Sequence, residues 1–218
     1  MNGAALTREL SRGLPVSLTR LIRSSTGQNV RFKISPSFDT TKLEKGGFLD
    51  RVDVYEDRIR GWLIEPARIL NCHEHAGFAV LHLVLSYVEG AEIFVRGESS
   101  RGRENEFFRA GLLDLFPEIR RLPPNQQSDL GDIFWADARC GLFHQGLVRP
   151  RVVLMDGTPR LQCSISEDGS TITRVALDRY GIVDAVDAHL ASFVPKLRDP
   201  KADEVHKRFE AAWRIVHV

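Results

Sequence analysis

Sulfur is scarce in this chain, which carries three cysteines and two methionines among 218 residues. Cys72, Cys140 and Cys163 are odd in number, widely spaced and form no CxxC pair. That excludes a disulfide framework and the usual structural zinc patterns, so no metal is expected and the compartment is read as reducing, with the cytoplasm as default. No apolar run reaches the length of a membrane span, and the first residues lack the unbroken apolar core of a secretory signal, so no membrane association is expected. Net charge is scarce as well: 30 basic and 29 acidic side chains leave +1. A protein that coats nucleic acid electrostatically is thereby excluded, whereas a local basic patch is not. There is no internal repeat and no low-complexity tract.

What remains is the composition of an ordinary globular chain, 43% hydrophobic and 27% charged, long enough to bury one core. We expect a single domain over 1–218, divided into a basic N-terminal segment (1–45), core helices (46–150), a β-insert (151–177) and C-terminal helices (178–218). The N-terminal segment sets Arg8, Arg12, Arg20, Arg23, Arg31 and Lys33 against Glu9 up to residue 33. Its acid-poor composition also suits an organelle transit peptide, but Leu and Val recur as in an ordinary helix.

Apolar periodicity predicts the helices. Phe48, Val52, Tyr55, Ile59, Trp62, Pro66 and Ile69 recur at steps of three and four, giving an amphipathic helix over 47–70 that Pro66 should kink near Glu65. The stretch 75–94 is apolar on nearly every side and should be the central helix of a bundle, with His82, Ser86 and Glu89 as its one polar stripe. Ser99 or Ser100 is placed to cap the next helix, which Pro117 ends. A further helix is expected from about Ser128 to Gln145, with Gly146 as its C-terminal cap. After Pro150 the period changes to two, and Asp156-Gly157 and Asp168-Gly169 read as turns of a small β-hairpin or meander. Two helices close the chain, 181–193 and 199–216, separated by Pro195 and Pro200. The fold class is mainly α with a small β-insert.

One segment has the residue types for chemistry: Asp137-Ala138-Arg139-Cys140-Gly141-Leu142-Phe143-His144-Gln145-Gly146. Cleaving RNA without a metal moves one proton off the ribose 2′-hydroxyl and another onto the leaving oxygen, which a histidine can do. The phosphorus centre gains negative charge, which a planar guanidinium can hold bidentately. Arg139 and His144 are the candidates for these roles. Five residues place them about 140° apart around a helix, yet long side chains on a last turn loosened by Gly141 can still converge.

An Arg-x4-His pair at the end of a helix in a small bundle resembles the HEPN superfamily. The run Arg139-Cys140-Gly141-Leu142-Phe143-His144-Gln145-Gly146 is similar to its uncharacterised bacterial branch, and a looser likeness extends from Gly61-Trp62 through Ser86-Tyr87-Val88-Glu89 to Phe116. The resemblance implies a homodimer whose two Arg/His pairs share one cleft, and metal-independent RNA cleavage leaving a cyclic phosphate. It implies no cofactor, and RNA, a nucleotide or an antitoxin-like protein as partner. Glu89 and Asp137 would support Arg139, while Trp135, Phe143, Arg149 and Arg151 would contact substrate. The family pattern has a polar residue after the arginine where this chain has Cys140, which keeps a non-catalytic nucleotide-, RNA- or protein-binding module as the alternative. Blander roles stay open too: a salt bridge for Arg139, core packing for Trp135 and Phe143, and a solvent-facing stripe for Glu89. Cys72-His73-Glu74-His75 lacks a third ligand at metal spacing and reads as a polar turn.

Overall fold

The computed structural model describes residues 32–44, 46–157 and 159–217, so the expectations for residues 1–31 lie outside it. Its helices are α1 (Thr41–Glu44), α2 (Phe48–Ile59), α3 (Glu65–Asn71), α4 (Gly77–Arg96), α5 (Glu104–Leu115), α6 (Pro124–Asp132), α7 (Cys140–Gln145), α8 (Arg179–Arg198) and α9 (Asp203–Val216). Strands β1 (Val152–Leu154), β2 (Leu161–Ile165) and β3 (Ile172–Leu177) lie between α7 and α8. The chain is mainly helical with a small three-stranded sheet.

The apolar α4 is the centre of the bundle, packed by α3, α5, α8 and α9. It buries Val80, Leu81, Val84, Leu85, Val88 and Phe94, each of which contributes roughly 1.5–3 kcal/mol by leaving water. It is also the one helix among the described residues long and apolar enough to cross a membrane. Gly111 sets its distance from α5, because a Cβ there would lie 2.5 Å from the Val88 carbonyl oxygen. Its polar stripe of His82, Ser86 and Glu89 reaches the surface, Ser86 fully and the other two in part, as do Phe78 and Ala79 in its first turn. Gly97, left-handed at φ 73°, closes the helix by donating to the Ile93 carbonyl.

The expected 47–70 helix is broken differently from the sequence reading. A π turn over Arg60–Ile64 joins α2 to α3, and Pro66 lies in the first turn of α3. Proline supplies no N–H to the preceding turn, and the wider turn absorbs that loss. The extra residue shifts the helical phase, so Trp62 and Ile69, expected on the buried face, are 50% and 65% exposed. Pro195 likewise does not end its helix, since α8 continues to Arg198. Both Pro195 and Ala191, whose carbonyl loses its partner, are exposed, so water can serve that carbonyl. The helix expected from Ser128 begins earlier, with Pro124 in its first turn, where a missing N–H costs nothing. Neither Ser99 nor Ser100 caps α5: Ser100 donates to Glu89, and Ser99 accepts from the Arg101 N–H.

The insert is not a meander. The strand order is β1-β3-β2, with β2 and β3 an antiparallel hairpin and β1 parallel to β3. The segment between β1 and β2 therefore carries the chain past β3 to its far edge. Side chains of α6 fasten the hairpin: Gln126 donates to the Gly169 carbonyl at 3.0 Å, and the Ile172 N–H donates to Asp129 at 3.1 Å. Val152, Ile172, Val175 and Leu177 belong to the same core as the helices.

Two outcomes follow from this packing. Gly111→Ala should lower the urea midpoint by an amount worth about 1–3 kcal/mol. Gly90→Ala, on the same pair of helices but with open space around it, should raise stability by about 0.5–1 kcal/mol. Equal effects would contradict the close approach.

The Tyr87 hydroxyl lies 2.8 Å from His189 Nδ1, and burial holds the His189 imidazole below its usual pKa of 6.5. Burial lowers His217 too, where the ring stacks on Trp213 at 4.0 Å. The unfolded chain then binds more protons just below pH 6.5, so stability falls as pH drops through that value. His189→Gln should flatten part of that fall between pH 7.5 and 5 in urea titrations; an unchanged slope would rule out its contribution.

Candidate functional site

The helix bearing the Arg139 motif is wound in three parts, with a π segment over Ile133–Arg139 between α6 and α7. The Cys140 N–H donates to the Trp135 carbonyl, five residues back. Within this stretch Trp135, Arg139 and Phe143 recur every four residues and come up on one side. The Arg139 guanidinium carbon lies 4.7 Å from the Trp135 ring centre and 4.8 Å from that of Phe143. On the far side Phe143 stacks on His82 of α4, with centroids 4.3 Å apart and planes at 29°. Trp135 is itself held edge-on by Phe108 at 5.4 Å. The planar groups thus run in the order Trp135, Arg139, Phe143, His82.

Glu89 stands beside this stack. Its carboxylate is 3.5 Å from an Arg139 nitrogen and accepts a 2.7 Å hydrogen bond from Ser100 Oγ. Of the partners weighed for Arg139, the structure selects Glu89 and not Asp137. The Arg139 and Glu89 side chains are 22% and 20% exposed, so the pair is neither dry nor freely solvated. The 3.5 Å separation is long for a hydrogen bond, and Arg139 makes none among the described residues. Its N–H donors are therefore still available to a ligand. Glu104 also senses this cation: its carboxyl is held below the ordinary range chiefly by the Gly102 N–H, with Arg139 adding attraction.

His144 is exposed, in the last turn of α7, and makes no hydrogen bond, ion pair or ring contact among the described residues. Gly146 ends α7 at φ 69°, as expected for a left-handed cap. Gly141 admits the returning chain, since a Cβ there would lie 2.5 Å from the Leu147 carbonyl oxygen. Phe143, not His144, occupies the position one turn above Arg139. Within one protomer, helical geometry sets the two about 140° apart.

Asp137 is 2% exposed and serves different partners from the expected one. Arg151 donates through Nε at 2.5 Å, and Arg149 lies at 3.7 Å from its other oxygen. Elsewhere on the surface, Arg103 pairs with Glu98 and Glu106, and Arg120 with Asp114. Cys72, His73, Glu74 and His75 are all exposed in the turn between α3 and α4, and no group of three His, Cys, Asp or Glu suited to a metal occurs among the described residues.

Beside His82 an open groove of about 400 Å³ is lined by Leu70, Phe78, Leu83, Leu142 and Gly146 among others. Phe78 and Phe143 are 39% and 45% exposed, and Ile69 and Leu147 on the flanking elements 65% and 59%. No family model, curated protein or solved structure matches this chain.

Sequence reasoning missed the roles of Ser100 and His82. Both act across helices, and only the stripe spacing of His82 with Glu89 hinted at a shared surface. The aromatic clamp is testable by a double-mutant cycle of Arg139→Met and Phe143→Leu. Urea denaturation should return a coupling of about 0.5–1 kcal/mol for a partly exposed guanidinium on a ring. Additive effects would show that the two do not interact.

Proposed function

We propose that this chain is a HEPN-like RNA-cleaving domain that works as a homodimer without a metal, in the reducing cytoplasm. The observation that carries this reading is Arg139: a guanidinium held between two rings, backed by Glu89, with its donors unspent, five residues before an exposed His144. In this reading Arg139 binds the scissile phosphate and stabilises the charge that builds on it. His144 transfers the proton, and Glu89, itself fixed by Ser100, keeps the guanidinium oriented. Because 140° separates the pair on one helix, the cleft is completed by the second protomer. The exposed Phe78, Phe143 and Leu147 around the groove supply apolar surface for that contact.

A second reading is favoured by particular observations. Glu89 and Glu104 both offset the charge of Arg139, and Cys140 stands where the family pattern has a polar residue. These features suit a non-catalytic HEPN-like module that binds a nucleotide, RNA or a protein partner.

Incubating the full chain with end-labelled RNA in EDTA tests the first reading. Wild type should cleave and leave 2′,3′-cyclic phosphate ends. Arg139→Ala and His144→Ala should each lower the rate by about a hundredfold or more, as loss of a charge-stabilising or proton-transferring group does. A wild type that binds RNA but leaves it intact would establish the binding module instead. Cleavage undiminished in both variants would remove these residues from the mechanism.

A further inference from the structure

Asp137 presents a charge balance that its structural duty does not explain. A buried carboxylate needs a cation, and Arg151 supplies one through a 2.5 Å hydrogen bond. Arg149 is then surplus: its guanidinium sits 3.7 Å from the other carboxylate oxygen, too far for a hydrogen bond. Two guanidinium groups brought to one carboxylate repel each other and leave one positive charge in excess. Their side chains are 50% and 48% exposed, so their outer N–H edges face solvent.

Both arginines are also fixed by their backbones. The Arg149 N–H donates to the Asp137 carbonyl at 2.9 Å, and the Arg151 carbonyl accepts from the Val175 N–H at 2.8 Å. One arginine is thereby pinned to the π segment and the other to the central strand β3. Held at both backbone and side chain, they lose little freedom when a ligand arrives. Planar guanidiniums with free N–H edges match the oxygens of a phosphate group. The balance differs from that around Arg139, where one carboxylate, Glu89, answers one cation; here two cations answer one carboxylate.

We propose that Arg149 and Arg151, oriented by the buried Asp137, form an oxyanion site for a phosphate group. Asp137 and Arg139 lie about half a helical turn apart, so this site opens on a different side from the Arg139 clamp. It deepens the reading of Arg149 and Arg151 as substrate contacts and does not require cleavage by Arg139 and His144.

The test uses the full chain at low salt with two probes, inorganic phosphate and a short 5′-phosphorylated single-stranded RNA, each titrated by calorimetry. Arg149→Gln is the decisive variant, because Asp137 keeps its hydrogen-bonded partner and the fold is left intact. Loss of one charge-assisted contact should weaken binding about tenfold or more. Repeating both titrations in an Arg139→Ala background removes whatever the Arg139 clamp takes up, and Arg149→Gln should weaken binding there as it does in the wild-type background, which separates this site from the Arg139/His144 pair. RNA binding that weakens in Arg149→Gln would name nucleic-acid phosphate as the ligand, and phosphate binding alone would name the free ion. The proposal is overturned if wild type binds neither probe, or if Arg149→Gln binds as tightly as wild type.

Discussion

Burial of one apolar helix organises this protein. Four helices pack α4, and its polar stripe of His82, Ser86 and Glu89 meets water. Everything at the candidate site is arranged against that stripe: Glu89 pairs with Arg139, and His82 stacks on Phe143. The close contact at Gly111 fixes α5, whose Phe108 braces Trp135. Core packing and site geometry are therefore one problem, and a change that loosens α4 reaches the guanidinium without touching it.

The site stores little electrostatic energy. Its ion pair is long and partly exposed, and such pairs contribute on the order of 1 kcal/mol or less. Aromatic contacts fix the direction of the guanidinium, while Glu89 lies 3.5 Å away without spending a hydrogen bond on it. That combination leaves hydrogen-bond donors unspent, as a ligand site requires and a structural salt bridge does not.

Much of the fold was legible from periodicity and punctuation. The all-apolar run of α4 and its polar stripe, the Gly146 cap and the three short strands follow from local sequence. The misreadings share one cause, which is that local rules assume a constant helical period and nearest-neighbour pairing. The π segment over Arg60–Ile64 shifts that period and exposes Trp62 and Ile69. The parallel β1–β3 pairing needs a crossover that turn residues do not specify. At the site, Arg139, Glu89, Trp135 and Phe143 were marked by sequence and meet in space. Asp137 was marked as well, but its partners Arg149 and Arg151 follow from the return of the chain after Gly146, a tertiary feature.

The central claim is that Arg139 is a clamped guanidinium with donors free for an anion. Side-chain NMR of arginine-labelled full-length protein tests it most directly, with Arg139→Lys identifying the resonance. The account predicts an Arg139 Nε–H signal shifted upfield by the two flanking rings, which moves further when a short RNA is added in EDTA. A signal at the ordinary arginine position, unmoved by RNA, would contradict both the clamp and its use.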